Sequence, residues 1–448
     1  MRFSELEGAS VGVWGAGREI RSLADQVTRR LPAARIAVAA FDAPPAEDVR
    51  ATLRSPELRL VTSADAVTAL GECDVVVRSP GVSIHRPELQ ALTDAGTPVT
   101  TATALWLAER GGRRVIGVTG TKGKSTTAAL AAHLARAAGR TAHLAGNIGV
   151  PALDLLDSDP GDIAVVELSS YQIADLQIGP EVVVITNLFP EHADWHGSTD
   201  AYRAEKLRIL GLPGVRAAVL NARDEQLMTA GRDSAAEVVR YGAPDGWDAV
   251  SDGIALRGEP VVSAADLPLR GEHNALNLCA ALAVLEAFGV APPVLPQALA
   301  GFQPLAHRLE TVAERDGVLW VNDSISTTPE STLAALASFP GRDIVLIAGG
   351  QDRGQDHAEL GSALAARGAT VIGVPSTGPR LLAAAIAAGM SGERAIETAD
   401  LGDAVAQARA HAREGAVILL SPAAPSYDNY RDFEERGERF TALAQAGR

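Results

Sequence analysis

The stretch Val115-Ile116-Gly117-Val118-Thr119-Gly120-Thr121-Lys122-Gly123-Lys124-Ser125-Thr126-Thr127 consists of an apolar run, a glycine-rich turn and the start of an alanine-rich segment. This order predicts a buried strand that leads through a tight loop into a helix. The backbone N–H groups of such a loop, together with the positive end of the helix dipole, bind phosphate oxygens. The stretch therefore predicts a site for the phosphates of a nucleoside triphosphate.

The polar residues of this loop have the chemistry that bound phosphates require. Lys124 supplies a positive charge for the outer phosphates, and the Ser125 hydroxyl is placed to bind Mg²⁺. The loop departs from the general pattern G-x-x-x-x-G-K-[ST], because Val118 stands where the first glycine would be. A chance cluster of glycine and lysine is the alternative, which the flanking strand and helix disfavour. The predicted nucleotide-binding residues of the loop are Gly120, Thr121, Lys122, Gly123, Lys124, Ser125 and Thr126.

The composition limits the class of protein. A chain of 448 residues that is 47% hydrophobic can build about three domains. Its net charge of −15 argues against a nucleic-acid or anionic-membrane partner. Cys73 and Cys279 have no metal-ligand spacing, which indicates buried thiols in a reducing compartment. The N-terminus lacks a signal-peptide pattern and no apolar run of about 18 residues occurs, so we expect a cytoplasmic protein.

Strand and helix patterns alternate along the chain, which is typical of parallel sheets in an α/β fold. We expect three domains, at residues 1–108, 109–304 and 305–448, with a hinge in the Pro- and Gly-containing segment Gly301-Phe302-Gln303-Pro304. The clearest predicted strands are 10–14, 36–40, 73–77, 163–168, 182–187, 318–322, 344–348, 371–374 and 417–421. The predicted helices include 20–31 and 275–288.

Two loops near the N-terminus follow predicted strands. The first, Gly12-x-x-Gly15-Ala16-Gly17-Arg18-Glu19-Ile20, is a weak match to a dinucleotide fingerprint, because Ile20 stands where the third glycine would be. A nucleoside diphosphate such as UDP suits it better than NAD. The second loop, Arg78-Ser79-Pro80-Gly81, lies where parallel sheets bind ligands. We therefore predict that Arg18, Glu19, Ser79 and Gly81 bind a nucleoside diphosphate such as UDP, with ordinary strand-to-helix turns as the alternative.

Three polar clusters follow the phosphate loop, each at the end of an apolar segment. They are Gly146-Asn147-Ile148-Gly149, the cluster that begins at Glu167, and the segment that contains His192. Because the ends of parallel strands converge, Glu167 and His192 are expected to meet at the metal held by Ser125. A single glutamate or histidine would ordinarily be a solvated residue, but three clusters at successive strand ends favour a site.

Lys206 follows in the charged segment Ala201-Tyr202-Arg203-Ala204-Glu205-Lys206-Leu207, which is ordinarily a solvated helix face. Magnesium ions among ATP phosphates require oxygen ligands, and His192 with one carboxylate leaves a second ion short of them. A carbamylated Lys206 would supply the missing anionic oxygen. Lys124, His192 and Lys206 are therefore the predicted catalytic residues.

Taken together, the motifs resemble those of the Mur ligases, the ATP-dependent amide-forming enzymes of peptidoglycan precursor synthesis. The resemblance spans nearly the whole chain and is carried by 119–126, 167–172, 187–192, 202–206, 271–277, 307–310, 322–324 and 420–426. It implies a Rossmann-like N-terminal domain, a P-loop ATPase domain and a Rossmann-like C-terminal domain. It further implies Mg²⁺ on Ser125, Glu167, His192 and Lys206, and ATP contacts at Asn274, Asn277, Arg308 and Asp323. The UDP-sugar contacts that it implies are Arg18, Glu19, Ser79, Gly81 and Asn147.

The C-terminal run Ser421-Pro-Ala-Ala-Pro-Ser-Tyr-Asp428 is similar to that of the members that add glutamate to UDP-N-acetylmuramoyl-L-alanine. Ile325, where D-glutamate-adding members usually have lysine, looks like the L-glutamate-adding relative that works with a separate epimerase. A pocket for glutamate needs a cation and several donors, and the nominated residues are Thr327, Arg353, Ser426 and Tyr427. We expect a monomer that forms an acyl phosphate.

Four alternatives stay open. The first is a D-glutamate-adding member, and the second is a ligase similar to folylpolyglutamate synthase, which the separate N-terminal domain disfavours. A nucleotide-binding regulator without catalysis would tolerate loss of Glu167 or Lys206, yet both are present. A nicotinamide dehydrogenase is the least favoured.

Overall fold

The computed structural model of the chain describes residues 1–42, 49–55, 57–189, 198–269, 271–303, 305–352 and 354–446. The chain divides into two compact units, Met1–Gln303 and Pro304–Arg448. In the described ranges no helix combines the length and the apolar character needed to span a bilayer.

The first sheet of the larger unit is parallel throughout. Its strands, in the order β3-β2-β1-β4-β5, are β1 (Ser10–Trp14), β2 (Arg35–Phe41), β3 (Arg59–Thr62), β4 (Val75–Arg78) and β5 (Val99–Thr100). The helices of this part are α1 (Arg18–Arg30), α2 (Val49–Thr52), α3 (Ser63–Leu70), α4 (Pro87–Asp94) and α5 (Ala102–Arg110). Because β1 and β4 are parallel neighbours, the loops that follow Trp14 and Arg78 lie side by side at the carboxyl ends of these strands.

The second sheet carries the phosphate loop near its middle. Its order is β14-β13-β12-β11-β10-β9-β6-β8-β7, and the pairs β12–β13 and β13–β14 are antiparallel. The strands are β6 (Val115–Thr119), β7 (Ala142–Gly146), β8 (Ile163–Glu167), β9 (Val182–Ile185), β10 (Ala217–Asn221), β11 (Glu237–Tyr241), β12 (Trp247–Val250), β13 (Gly253–Leu256) and β14 (Glu259–Ser263). The residues of β6, β8, β9 and β10 are all buried, as expected for parallel strands covered on both faces.

The helices of the second part surround this sheet. They are α6 (Lys124–Ala137), α7 (Ser170–Ile173), α8 (Thr199–Arg208), α9 (Glu225–Arg232), α10 (Glu272–Ala287) and α11 (Leu295–Ala300). Several begin at a side-chain cap: Ser169 accepts a hydrogen bond from Gln172 N, and Ser198 accepts one from Ala201 N. One core joins both sheets, since Val13 and Ile20 belong to the same buried cluster as Trp106 and Val166.

The smaller unit contains the third sheet, in the order β15-β16-β20-β17-β18-β19, which is parallel except for the pair β15–β16. Its strands are β15 (Glu310–Arg315), β16 (Val318–Asn322), β17 (Ile344–Ala348), β18 (Thr370–Gly373), β19 (Ala395–Glu397) and β20 (Val417–Leu420). Its helices are α12 (Pro329–Ala337), α13 (Ala358–Arg367), α14 (Gly378–Ala387), α15 (Leu401–His411) and α16 (Phe433–Gln445). Separate buried clusters cover the two faces of this sheet.

The predicted α/β fold with parallel sheets is confirmed, and the predicted strands lie within about two residues of the observed ones. Helix α1 starts at Arg18, two residues before the predicted start, and α10 starts at Glu272 rather than Ala275. Strands β3, β5, β10 to β15 and β19 were absent from the sequence prediction. The predicted domain boundary between residues 304 and 305 lies close to the observed boundary of the two units, between Gln303 and Pro304. The domain boundary between residues 108 and 109 stays a prediction.

Candidate active site

The phosphate loop connects β6 to α6 and requires glycine at two positions. Gly120 has φ +136° and Gly123 has φ +82°, values that other L-residues rarely adopt. A Cβ atom at Gly120 would lie 2.0 Å from Thr186 Oγ1 and 2.9 Å from the backbone N of Thr186. The loop therefore approaches the end of β9 more closely than a side chain would allow.

Residues that follow β9 fix this loop through hydrogen bonds. Lys122 N donates to Asn187 Oδ1 at 2.8 Å, and Asn187 Nδ2 donates to Lys122 O at 3.0 Å. Thr186 Oγ1 donates to the same carbonyl at 2.6 Å, and Thr121 N donates to Asn187 O at 2.9 Å. Asn187, which the sequence prediction placed in a polar cluster without a role, thus holds the backbone conformation of the loop.

The side chains of the loop differ in their surroundings. The Thr121 hydroxyl is 2.9 Å from the Tyr202 hydroxyl on α8, so this residue packs against the Lys206 helix. Lys124 Nζ donates to Thr121 O at 2.7 Å, and Ser125 and Thr126 are buried in the first turn of α6. The positive end of the helix dipole at this turn favours bound anions.

Helix α10 approaches the loop through the two asparagines of the predicted ATP contact. A Cβ atom at Gly123 would lie 2.2 Å from Asn277 Oδ1, and Asn277 Nδ2 donates to Asn274 Oδ1 at 3.3 Å. Asn277 is buried and also accepts a hydrogen bond from Thr127 Oγ1 at 3.4 Å. The structure therefore brings both asparagines to the start of α6, and their contact with the nucleotide stays a prediction.

Glu167 ends β8 and has the chemistry of a metal ligand. It is only 1% exposed, and its Oε1 accepts a hydrogen bond from Asn147 Nδ2 at 2.8 Å. Its Oε2 is buried and has no hydrogen-bond partner among the described residues. A buried carboxylate oxygen without a donor is unfavourable unless a cation binds it, so Glu167 fits a Mg²⁺ site.

Other members of the predicted metal site are placed less completely. His192 lies outside the described residues, and within those residues no group of three His, Cys, Asp or Glu side chains has the arrangement of a metal site. Lys206 is 2% exposed on α8, with Nζ 4.9 Å from the centre of the Tyr202 ring. Burial of a lysine in this way costs free energy if the amine is charged, which favours a modified or strongly paired amine.

The three lysines of the chain are Lys122, Lys124 and Lys206. The chain has 40 lysines and arginines in total, so the other 37 are arginines. A guanidinium cannot be carbamylated, and it presents a planar fork of donors rather than a compact charge. Lysine is therefore used in this chain only at positions predicted to belong to the nucleotide site.

The predicted UDP-sugar residues of the first loop form contacts within the larger unit. Arg18 donates to the carbonyl oxygens of Gly146, Asn147 and Gly149 at 2.8–3.0 Å. Glu19 is buried and accepts hydrogen bonds from Thr103 Oγ1 and Gln172 Nε2 at 3.0 and 2.6 Å. Burial raises the pKa of Glu19 above its usual range. These contacts give both residues a structural role that the sequence did not reveal, and their part in UDP-sugar binding stays a prediction.

The second loop lies against the first. A Cβ atom at Gly15, where φ is +89°, would lie 2.7 Å from Ser79 Oγ. This hydroxyl is buried without a hydrogen-bond partner among the described residues, whereas Gly81 is exposed. A hydroxyl without a hydrogen-bond partner among the described residues thus lies at the carboxyl ends of β1 and β4, and the binding of a ligand there stays a prediction.

In the smaller unit, Asp323 follows β16 and is 3% exposed. It accepts hydrogen bonds from Ser326 Oγ, Ser421 Oγ and Leu309 N at 2.6, 2.8 and 3.2 Å. Burial raises its pKa to about 6, although these donors and the nearby charge of Arg308 lower it. Arg308 Nε is buried without a hydrogen-bond partner in the described ranges.

The residues predicted to bind the substrate glutamate lie in several loops of the third sheet. Thr327 is half-buried, Ser426 is buried and Tyr427 is 59% exposed, while Arg353 lies outside the described residues. A cavity of about 160 Å³ opens at the ends of β17, β18 and β20. Its walls are Gly349, Gly350, Val374, Pro375, Ala399, Asp400, Leu401, Leu420, Asp428, Asn429, Tyr430, Arg436 and Arg439.

Arg436 is a buried cation in this cavity that the sequence prediction missed. It donates to Ser324 Oγ and O at 3.0 and 2.8 Å and to Ala424 O at 3.1 Å. Burial lowers its pKa to about 10. It therefore ties the loop after β16 to the loop after β20. Arg436 is the arginine of the motif Phe433-Glu-Glu-Arg-Gly437, which was the available signal for it.

Residues 118–285 match the family described as the Mur ligase middle domain, and residues 307–424 match the Mur ligase glutamate ligase domain. A Micromonospora protein named UDP-N-acetylmuramoyl-L-alanine–L-glutamate ligase is 44% identical, over 98% of this chain and 97% of its own length. The chain belongs to the Mur ligase family. A Xanthomonas campestris pv. campestris relative of the same name is 41% identical to this Mur ligase, over 99% and 97% of the two lengths.

Solved structures support the fold of this Mur ligase. UDP-N-acetylmuramate-alanine ligase MurC from Thermotoga maritima superimposes with a TM-score of 0.59 at 18% identity, covering 98% of this chain and 99% of MurC. The MurF ligase of the same organism, solved in complex with ADP, gives 0.58 at 18% identity and covers 99% and 96%. At this identity the likeness concerns the fold alone, and it confirms the predicted three-domain Mur ligase architecture.

Replacement of Gly123 by alanine is expected to weaken binding of ADP by at least about tenfold, because the new Cβ atom would displace the Asn277 side chain from the loop. Gly139→Ala is the matched control. Its φ of +75° imposes a similar backbone strain, of about 1 kcal/mol, but no atom lies within 4 Å of its Cβ position. Titration calorimetry with Mg-ADP measures both variants, and equal affinities would contradict the assignment of the loop.

Asp323→Asn is expected to change how stability depends on pH. The pKa of Asp323 is raised in the folded protein, so its ionisation destabilises the native state increasingly as pH rises through about 6. Between pH 5 and 7.5 the variant should gain on the order of 1 kcal/mol relative to the wild type. Urea unfolding across this range measures the difference, and parallel curves for the two proteins would refute the raised pKa.

Proposed function

We propose that this Mur ligase joins L-glutamate to UDP-N-acetylmuramoyl-L-alanine in peptidoglycan precursor synthesis, with ATP as the source of phosphoryl groups. The full-length match to relatives that carry this name is the observation on which the proposal rests. The phosphate loop and the buried Glu167 carboxylate support it, because an acyl-activating ligase needs a site for phosphates and their metal.

The reaction that suits this site has two steps. A carboxylate oxygen of the alanyl group attacks the terminal phosphorus of ATP, the bond to the bridging oxygen breaks, and ADP leaves from the acyl phosphate. The amine of glutamate then attacks the acyl carbon, loses a proton, and phosphate departs with the electrons of the broken C–O bond. The Lys124 amine and the N–H groups of the Gly120–Ser125 loop stabilise negative charge on the transferring group.

The residues that suit Mg²⁺ are Ser125, Glu167, His192 and a carbamylated Lys206. When bound, the ion neutralises charge on the phosphate oxygens. The unpaired Oε2 of Glu167 and the buried amine of Lys206 support this set. Asn147 orients the Glu167 carboxylate through its 2.8 Å hydrogen bond.

Binding of the UDP-sugar is assigned to the paired loops at Arg18, Glu19, Ser79 and Gly81, with Asn147. Ser79 is the strongest member of this set, because its hydroxyl is buried and has no partner in the described part of the chain. Gly15 supports the assignment, since a side chain there would collide with Ser79 Oγ.

Glutamate binding is assigned to the smaller unit, at Thr327, Arg353, Ser426 and Tyr427. The names of the relatives support the L-isomer, as does Ile325, an apolar residue where a cation is usual for the D-isomer. A D-glutamate-adding enzyme is the second candidate, but no described residue favours it. We further propose that the enzyme is a cytoplasmic monomer and that a separate epimerase acts on its product.

The enantiomer preference tests the substrate. Phosphate release with UDP-N-acetylmuramoyl-L-alanine and ATP is expected to favour L- over D-glutamate by about 10⁴-fold in kcat/KM, because a hydrogen-bonding pocket rejects a misplaced polar group strongly. A preference for D-glutamate would contradict the proposed L-specificity and support the second candidate, a D-glutamate-adding ligase. Absence of phosphate release with either isomer would refute the proposed function.

Lys206→Ala and Lys206→Arg are expected to lower kcat by about 10²-fold or more, since neither side chain can supply a carbamate oxygen. Acetate should partly restore Lys206→Ala, where the shortened side chain leaves room for a carboxylate. It should not restore Lys206→Arg, which fills that room. Thermal unfolding of each variant shows whether it is folded. Wild-type activity in either variant would contradict the assignment of a carbamate to Lys206.

A further inference from the structure

Arg78 is the last residue of β4 and has a completely buried side chain. A guanidinium removed from water is costly unless its donors are satisfied. The loop that follows it, Ser79–Val82, is the second of the two loops assigned above to the UDP-sugar. The contacts of this side chain therefore determine how that loop is held.

One nitrogen of Arg78 organises the loop itself. Nη1 donates to Val82 O at 2.6 Å, to Pro80 O at 3.0 Å and to Ser79 O at 3.4 Å. Three carbonyl groups of a four-residue segment thus point toward one cation. The loop is closed further by a hydrogen bond from Val82 N to Ser79 O at 3.0 Å. The backbone conformation of the segment accordingly depends on the position of this guanidinium.

The other nitrogen anchors Arg78 on the second sheet. Nη2 donates to Tyr171 O at 2.9 Å and forms an ion pair with Asp175, which is also largely buried. Tyr171 belongs to α7, the short helix that begins three residues after Glu167. One planar group therefore connects the loop after β4 to the helix that follows the proposed metal ligand.

Stability alone is a poor reason for this arrangement. Buried ion pairs are often no more stable than apolar residues of the same volume, so their value lies in fixing one conformation. The hydroxyl of Ser79, buried and without a partner among the described residues, is held at the start of the same loop. A loop that is fixed in place and retains an unused donor is suited to receive an oxygen-rich ligand.

We propose that Arg78 is a positioning residue for the UDP-sugar: it fixes Ser79–Val82 in the binding conformation by tying the loop to Tyr171 and Asp175. The inference rests on the proposed function of that loop. A lysine at this position would keep a charge near Asp175, but a compact ammonium cannot reach both the loop carbonyls and α7 as the fork of arginine does. Arg78→Lys therefore removes the connection while preserving the charge.

The matched control is Arg110→Lys. Arg110 also joins the two parts of the larger unit through carbonyl groups, those of Pro160 and Asp162, and these hydrogen bonds, among the described residues, do not involve the loop after β4. Calorimetric titrations with UDP-N-acetylmuramoyl-L-alanine and, separately, with Mg-ADP are performed on both variants and the wild type. Steady-state kinetics with ATP and L-glutamate then give the KM of the UDP-sugar and kcat.

For Arg78→Lys the Kd and KM of the UDP-sugar should rise at least tenfold, while kcat and the Kd of ADP change less than threefold. Arg110→Lys should change each of these values less than threefold. Wild-type affinity for the UDP-sugar in Arg78→Lys would overturn the inference, and so would an equal loss of ADP affinity, which indicates general damage. Failure of the wild type to bind the UDP-sugar would refute the proposed function instead.

If thermal unfolding shows that Arg78→Lys is not folded, Asp175→Asn provides the second variant. It retains the guanidinium and its loop contacts but weakens the anchor on the second sheet. The Kd of the UDP-sugar should then rise at least threefold with ADP affinity unchanged. An unchanged Kd for the UDP-sugar in this variant would also overturn the inference.

Discussion

The close approach of the phosphate loop to the end of β9 is the constraint on which the rest of the site depends. Gly120 lies where a Cβ atom would overlap Thr186, and Asn187 bonds both the N–H and the carbonyl group of Lys122. Because the strand fixes the loop, the first turn of α6 is fixed with it. Asn277 lies against Gly123 at the start of that turn, and Tyr202 contacts Thr121 in the loop, so α10 and the Lys206 helix both pack against the same fixed segment.

The two sheets of the larger unit are joined by polar contacts as well as by a shared core. Glu19 reaches Thr103 and Gln172, Arg18 reaches the loop after β7, and Arg78 reaches α7. Glu19 and Arg78 are buried, and a buried polar group is costly when one partner is lost, which disfavours other arrangements of the two sheets. The Asn147 side chain, beside the Arg18 contact, in turn orients Glu167. The loops proposed to bind the UDP-sugar and the proposed metal ligand Glu167 are therefore connected through one set of hydrogen bonds.

The family, the fold and the phosphate loop could be predicted because short-range patterns determine them: apolar runs, glycine turns and motif spacing. The roles of Glu19 and Arg18 could not, since their partners are 84 to 153 residues away and no local pattern encodes such pairs. Arg78 and Arg436 were missed for the same reason. Among the missed strands, β11, β12 and β14 have short and partly exposed apolar runs, so their periodicity is weak.

The restriction of lysine to Lys122, Lys124 and Lys206 has a consequence for spectroscopy. Apart from the chain terminus, every primary amine of this protein belongs to the proposed nucleotide site. Isotope labels introduced through lysine, or by reductive methylation of amines, will produce a spectrum with very few signals. The chemical state of the site can therefore be observed directly in the natural sequence, without resonance overlap from the 37 arginines that provide the remaining positive charge.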